Sequence, residues 1–243
     1  MQLRETFDKW ARATKQKYNQ KQWLLSKWET IEDIRWPEEK VQTMAAHIEK
    51  NLCLRANQCL IDLGCGGGWI FKKLSRRSPH AFGLDFSFQM LRCARKFNTG
   101  KKFVCAEIAR LPFANETFHR ALSYFVFINF TDTQYIEKSI LEIIRVLKKG
   151  GRALIGQLPD TGGSRDYDRA KEDYLSYCRK KYNILEKEIT IYRPPIQLFD
   201  RKAVLRSLRK KNLKVTAVDS FNPFYWPAQA KTVSWRFDLI IEK

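Results

Sequence analysis

Acidic residues are scarce in this chain of 243 residues, which holds 26 Asp and Glu against 45 Lys and Arg and has a formal charge of +19. The chain also lacks an apolar run near the roughly 20 residues that a membrane-spanning helix needs. Its first residues, MQLRETFDKW, are charged, whereas a secretion signal has an apolar centre. We therefore expect a soluble, cytoplasmic protein without a transmembrane segment.

Metal-binding and disulfide patterns are missing as well. The six cysteines never occur as a pair separated by two residues, and most of them lie in apolar strand or helix patterns. This spacing argues against a metal site and against a disulfide framework. Free thiols in this number suit a reducing compartment, where a buried cysteine behaves as a small apolar side chain.

The most informative segment is CLIDLGCGGGW, residues 59–69. A short apolar strand ends at Asp62 and leads into a glycine-rich turn and then a helix. Backbone N–H groups and the helix dipole converge there, which suits a cofactor that contains a nucleoside. A nicotinamide fingerprint would need glycine at the sixth position counted from Gly64, but that position is Trp69, whose bulk would separate helix from strand. The pattern therefore disfavours NAD.

Preceded by Asp62, the glycines of this turn resemble motif I of the class I S-adenosylmethionine-dependent methyltransferases. The resemblance continues through FGLDFSFQML, CAEIARLPF, ALSYFVFINF and LEIIRVLKKGGRALIG, and is greatest to the broad small-molecule branch, the type 11-like enzymes. It covers about residues 55–158. It implies a methyltransferase with S-adenosyl-L-methionine as its cofactor.

The resemblance also implies roles for individual residues. Asp85 would bind the two ribose hydroxyls, and Asp62 would anchor the methionine part. Glu107 and Ile108 would flank the adenine. The full predicted cofactor-binding set is Asp62, Gly64, Cys65, Gly66, Gly68, Asp85, Phe86, Glu107, Ile108, Ser123 and Tyr124. For Cys65, packing is the expected role, and a plain core role stays open for Ser123 and Tyr124.

Alternating patterns predict an α/β fold. Strands are expected near 58–63, 80–85, 101–106, 119–126, 150–157, 213–219 and 233–241, with helices near 68–77, 87–97, 132–148 and 200–211. This predicts a Rossmann-like, seven-stranded, mostly parallel sheet with helices on both faces. The family resemblance places the last strand antiparallel beside the fifth. Lys148 to Gly151 are expected to end the helix before strand five.

One domain, 1–243, is expected, with four parts. Residues 1–54 would form an N-terminal helical cap in which Met44, Ile48 and Leu52 recur at helical spacing. Residues 55–157 would form the cofactor-binding core, residues 158–199 a substrate-side insertion, and residues 200–243 a C-terminal helix and two strands. Most aromatic residues of this cap are expected to pack it against the core. In relatives the N-terminal helices often close over the cofactor and substrate, which makes Tyr18 and Trp23 candidates for substrate binding.

No catalytic base can be assigned from the sequence. An acceptor hydroxyl or ammonium needs a group that takes its proton. The three histidines, His47, His80 and His119, fall at predicted helix or strand starts away from the cofactor end. Ile128 and Asn129 stand where many relatives carry paired histidines. Asn129, Asp160 and Tyr167 are the catalytic candidates, and Asn129 is also a candidate for substrate binding.

Three functions remain open at this point. The first is methyl transfer to a small molecule or glycan, since the RFDLII ending is similar to methyltransferases associated with polysaccharide building. The second is methyl transfer to RNA, attracted by the positive charge. The third is a module that binds the cofactor without catalysis. The basic residues are spread over the chain, which favours a solvated surface over one anionic partner.

Overall fold

The computed structural model describes residues 38–163, 197–221 and 232–243, together with single helical residues at 5, 8, 165, 169, 172, 173 and 176. The candidates Tyr18, Trp23 and Tyr167 lie outside the described residues. So does most of the predicted insertion, residues 158–199.

The helices within these ranges are α1 (Glu38–Leu52), α2 (Trp69–Leu74), α3 (Phe88–Phe97), α4 (Thr133–Val146) and α5 (Arg201–Lys210). The strands are β1 (Leu60–Leu63), β2 (Phe82–Asp85), β3 (Lys102–Cys105), β4 (Phe118–Tyr124), β5 (Leu147–Pro159), β6 (Lys214–Phe221) and β7 (Thr232–Glu242). Three helices begin after a residue whose side chain accepts a backbone N–H of the first turn, namely Ser87, Asp132 and Asp200.

The strands form one sheet in the order β3-β2-β1-β4-β5-β7-β6. Neighbours from β3 to β5 are parallel, whereas β7 runs antiparallel to both β5 and β6. The predicted seven-stranded sheet, with its last strand antiparallel beside the fifth, is confirmed. The strand order reverses between β1 and β4, and open α/β sheets bind their ligands outside the carboxyl ends of the strands at such a point.

Different helices cover the two faces of the sheet. Side chains from α1, α2 and α3 pack with Leu60, Leu122 and Leu154 on one face, which we call the α1 face. On the opposite face, α4 and α5 pack with Ile61, Ala121 and Ala153. Because side chains alternate along a strand, four polar or small residues on four different strands share the α1 face: Asp62, Tyr124, Gly156 and Asp238.

The predicted end of the fourth helix is wrong. Helix α4 ends at Val146, and Leu147 already pairs with Phe118 in the sheet. Lys148 to Gly151 therefore belong to β5 and do not close the helix. Gly150 has φ of 70°, and its N–H donates to the Lys243 carbonyl at 2.7 Å. Strand pairing with β4 begins directly after Val146. The register between β4 and β5 shifts between Phe118 and Arg120.

Helix α1 is the described part of the predicted N-terminal cap. Met44, Ile48 and Leu52 are fully buried against the sheet, as their spacing predicts. Of the helices that the structure describes, none combines the length and the apolar character needed to cross a membrane.

Candidate cofactor and acceptor site

The glycine-rich turn after β1 is anchored to β2. The N–H groups of Gly64 and Cys65 both donate to the Leu84 carbonyl, at 2.7 and 2.9 Å. Gly64 has φ of +76°, and a Cβ there would lie 2.5 Å from Val126 Cγ2, so no larger residue fits. The turn therefore keeps its backbone bare at the carboxyl edge of the sheet, where a ligand can approach closely.

Asp85, at the end of β2, holds this turn against α3. Its Oδ2 accepts the Gly66 N–H at 2.8 Å, and its Oδ1 accepts the Ser87 N–H at 2.9 Å. The Ser87 hydroxyl accepts the Met90 N–H at 3.1 Å and donates to the Asp8 carboxylate. One carboxylate thus orients the turn and the start of the next helix.

Asp62 and Asp85 are neighbouring buried carboxylates. Their exposed fractions are 4% and 5%; Asp85 ends β2, and Asp62 precedes the last residue of the adjacent parallel strand β1. Burial, and secondarily the charge of Asp85, raise the pKa of Asp62 to about 8. Two acids in such a place favour a ligand that brings positive charge.

Other predicted cofactor residues lie beside the turn or after the neighbouring strands β2 and β3. Glu107 follows β3, and its Oε2 accepts the Tyr135 hydroxyl at 2.7 Å, while Ile108 is 5% exposed. Phe86 is half-buried directly after Asp85. Burial raises the pKa of the Cys65 thiol well above its ordinary value, and a Cβ at Gly83 would lie 2.9 Å from its Sγ, which agrees with a packing role.

Ser123 and Tyr124 point to opposite faces of β4. Ser123 donates to the Leu63 carbonyl at 3.1 Å, which ties β4 to β1. Tyr124 lies on the α1 face, and its hydroxyl donates to Asp238 Oδ2 at 3.3 Å. The two side chains therefore cannot both face one ligand group, and their cofactor roles stay predictions.

A buried polar cluster surrounds Asp238, which is fully buried in β7. Its carboxylate accepts the Gln157 N–H at 2.9 Å and the Ser220 hydroxyl at 2.5 Å, and lies 2.8 Å from His47 Nε2. The Gln157 side chain donates to Ser220 Oγ at 2.7 Å. Asp238 joins His47 to Tyr124, the last residue of β4.

Gly156 makes room for this cluster. A Cβ there would lie 2.0 Å from Tyr124 Cε2, so Gly156→Ala must displace the ring or the strand. We expect the free energy of unfolding to fall by about 3 kcal/mol, the upper part of the usual range for overpacking. Urea denaturation, monitored by circular dichroism, measures this change in the free energy of unfolding.

Gly162→Ala is the matched control, since the nearest atom to its Cβ is Asp160 Oδ1 at 3.8 Å. The control should stay within about 0.5 kcal/mol of the wild type. Equal stabilities for the two variants would contradict the packing argument.

A comparison with protein families matches residues 61–155 to the family described as "Methyltransferase domain". This segment contains β1 to β4, most of β5 and the whole glycine turn with both carboxylates. The chain carries a class I methyltransferase domain. The cofactor predicted from the sequence, S-adenosyl-L-methionine, is confirmed as that of this domain class.

Named relatives agree with this assignment. The chain is 32% identical over 129 residues to demethylmenaquinone methyltransferase of Thermotoga maritima, covering 52% of this chain and 51% of that protein. It is 29% identical over 102 residues to malonyl-[acyl-carrier protein] O-methyltransferase of Buchnera aphidicola, covering 42% of this chain and 40% of the relative. The chain thus spans about half or less of the curated relatives it matches.

Solved structures share the fold of the methyltransferase domain over most of the chain. One chain from the complex of the Haloferax volcanii methyltransferase activator Trm112 with a methyltransferase superposes with a TM-score of 0.63 at 16% identity, covering 97% of this chain and 96% of that one. A SAM-dependent methyltransferase from Methanosarcina mazei gives 0.59 at 19% identity, with coverage of 81% and 96%.

The residues of the methyltransferase domain fit its cofactor. S-adenosyl-L-methionine carries a sulfonium and an ammonium. The pKa of Asp62 is raised to about 8 in the ligand-free protein, and a cation bound beside this carboxyl would favour its ionised form. The turn needs glycine at Gly64 and Gly68, where a Cβ would lie 2.5 Å from Val126 Cγ2 and 2.7 Å from Asn98 Nδ2.

The remaining catalytic candidates have structural partners in the described part of the chain. The Asn129 amide donates to the carbonyls of Phe125 and Val126, at 3.2 and 3.1 Å. Asp160 Oδ2 lies 2.9 Å from Arg201 Nε, and its Oδ1 accepts the Gly162 N–H at 3.2 Å. Asn129 thus closes the short 3₁₀ helix after β4, and Asp160 ties the end of β5 to α5.

The other two histidines differ from His47. His119 Nδ1 accepts the Cys59 N–H at 3.0 Å near the amino end of the sheet, and His80 is exposed. Burial, followed by the charge of Lys148, lowers the pKa of His119. As predicted, His119 lies away from the cofactor end.

Proposed function

We propose that this protein transfers a methyl group from S-adenosyl-L-methionine to a small molecule or glycan. The observation that carries the proposal is the pair of buried carboxylates, Asp62 and Asp85, on either side of the bare glycine turn within the matched methyltransferase domain. The names of the related quinone and malonyl-carrier methyltransferases support an acceptor of low molecular weight.

In this proposal the cofactor supplies the methyl group, and the protein binds and orients both partners. Asp85 accepts hydrogen bonds from the ribose hydroxyls, and Glu107 and Ile108 flank the adenine. Asp62 faces the methionine ammonium. Methyl transfer from a sulfonium is an in-line displacement, so alignment and the exclusion of water contribute most of the rate.

Calorimetry of the full chain with S-adenosyl-L-methionine and S-adenosylhomocysteine tests the first half of this proposal. We expect saturable binding of both, because the protein groups named above contact parts that the two ligands share. If the titration shows neither a heat of binding nor saturation at millimolar ligand, the proposed binding of the cofactor is overturned.

Methyl-labelled donor tests the second half when it is incubated with a small-molecule extract, with polysaccharide and with total RNA in separate reactions. Label is expected in the small-molecule or polysaccharide reaction. Label only in RNA would establish the RNA alternative, and donor binding without any labelled product would establish a non-catalytic module.

A further inference from the structure

His47 and Asp238 form a dyad on the sheet face that also carries Asp62. Their contact, Nε2 to Oδ2 at 2.8 Å, joins residues that are 191 positions apart in the chain. We propose that His47 takes the proton from the N–H or O–H group of the methyl acceptor and that Asp238 positions it for this step. The inference rests on the proposed methyltransferase function and supplies the base that sequence reasoning did not find.

Asp238 determines which nitrogen of the His47 ring is free. An ionised carboxylate only accepts hydrogen bonds, so the 2.8 Å contact requires the ring hydrogen on Nε2. The side-chain amide of Asn51 lies 3.0 Å from the same nitrogen, and its oxygen can accept that hydrogen when the amide is turned toward the ring. The lone pair is then on Nδ1, the atom that can receive a proton.

The carboxylate of Asp238 is held in place by several donors. Besides His47, it receives hydrogen bonds from the Gln157 backbone, the Ser220 hydroxyl and the Tyr124 hydroxyl. A buried anion fixed in this way orients the imidazole and stabilises the imidazolium that proton transfer creates. The His47 side chain itself is 14% exposed, so it is partly accessible to solvent.

The backbone beside the dyad is strained. Phe125 and Gln157 have φ of 62° and 67°, which few non-glycine residues adopt, and the Phe125 N–H donates to the carbonyl of Gly156 at 3.3 Å. The register of β5 against β7 shifts between Ile155 and Leu158. Strain and bulges at neighbouring strands are typical of functional sites. Here they turn the Gln157 N–H toward Asp238.

The charged and titratable groups around the dyad come from several elements. Besides Asp238 itself, strand β7 contributes Arg236, and β4 contributes Tyr124. Arg236 Nη1 donates to the Gln157 carbonyl at 3.2 Å. Burial raises the pKa of Tyr124 well above its ordinary value, so its hydroxyl stays a donor.

Arg77, which follows α2 in the chain, pairs with Glu49 of α1 at 3.0 Å. Of the groups around the dyad, the imidazole of His47 is the one that accepts the proton in the proposed step.

The proposed step moves one proton. The Nδ1 lone pair of His47 bonds to the proton of the acceptor's N–H or O–H group, and the electron pair of the broken bond stays on the acceptor atom. The imidazolium, paired with the Asp238 anion, later returns the proton to water. Asp238 keeps its hydrogen bond to Nε2 throughout, as the acid of a catalytic triad does.

Nitrogen-15 NMR of the histidine rings tests the dyad in the full chain without any ligand. With only His47, His80 and His119 present, His→Asn variants assign each ring. We expect the Nε2–H tautomer for His47 in the wild type and loss of that preference in Asp238→Asn. A ring that carries its hydrogen on Nδ1 would overturn the inference.

Methyl transfer tests the catalytic role, with labelled donor and the small-molecule extract as the probe. In His47→Asn we expect transfer to fall about 100-fold, with loss of the wild-type decline toward low pH. Donor affinity should stay within about twofold of the wild type, which shows that the variant is folded. His80→Asn, which changes an exposed histidine, is the matched control.

The outcomes separate this inference from the function on which it rests. Wild-type transfer rates and pH profile in His47→Asn would overturn the inference alone. If the wild type labels no product at all, the proposed function fails, and the inference fails with it.

Discussion

Asp85→Ala should lower the affinity for S-adenosyl-L-methionine about 100- to 10,000-fold. In the proposed complex the carboxylate accepts hydrogen bonds from two ribose hydroxyls. A hydrogen bond to a charged group contributes about 1.5 to 3 kcal/mol, so losing two of them corresponds to that range. The substitution also removes the acceptor of the Gly66 and Ser87 N–H groups, which loosens the turn itself.

Calorimetry at constant pH and salt concentration measures the loss of affinity for S-adenosyl-L-methionine in Asp85→Ala. Glu137→Ala is the control, because it removes an equal charge from an exposed position on α4 that pairs with Lys211. The control should bind the donor like the wild type. Equal affinities for Asp85→Ala and the wild type would show that the glycine turn does not hold the nucleoside.

Asp62→Asn should make the ligand-free protein more stable at alkaline pH while weakening donor binding. Burial raises the pKa of this carboxyl from 3.8 to about 8, so the folded state holds a proton that the unfolded state loses. The stabilisation is complete below the unfolded pKa and is lost as pH rises through the folded pKa. Because one pKa unit corresponds to about 1.4 kcal/mol, the full loss between pH 4 and 9 is at most about 5 kcal/mol.

Thermal and urea unfolding between pH 5 and 9 measure this effect. The wild type should lose stability across this range, and Asp62→Asn should lose less and become the more stable of the two near pH 9. Donor affinity of the variant should be about 10- to 100-fold lower, since the cation then meets a neutral amide. Parallel stability curves for the two proteins would contradict the raised pKa.

Local patterns predicted the sheet and the positions of two carboxylates beside the glycine turn. Asp62 and Asp85 end apolar strands in their own sequence neighbourhoods, and glycine spacing predicts the turn between them. The predicted helix end at Lys148 to Gly151 failed because those residues are typical of a helix cap locally, whereas the pairing of Leu147 with Phe118 depends on a distant strand.

The acceptor half could not be predicted in the same way. His47 and Asp238 belong to elements at opposite ends of the chain, and no spacing rule connects them. One signal was present: Asp238 interrupts the apolar strand WRFDLII, and a buried acid in such a strand requires hydrogen-bond partners. The identity of those partners depends on the bulges of β5 and β6, which sequence patterns do not reveal.

The position of β7 between β5 and β6 has a consequence for biosynthesis. Strand β6 pairs only with β7 in the described sheet, although the ribosome produces it first. A nascent chain can therefore assemble β1 to β5 early, while β6 must wait for β7 before it has a neighbour. Because Asp238 belongs to β7, we expect a nascent chain to form the glycine turn with Asp62 and Asp85 before the His47–Asp238 dyad can form.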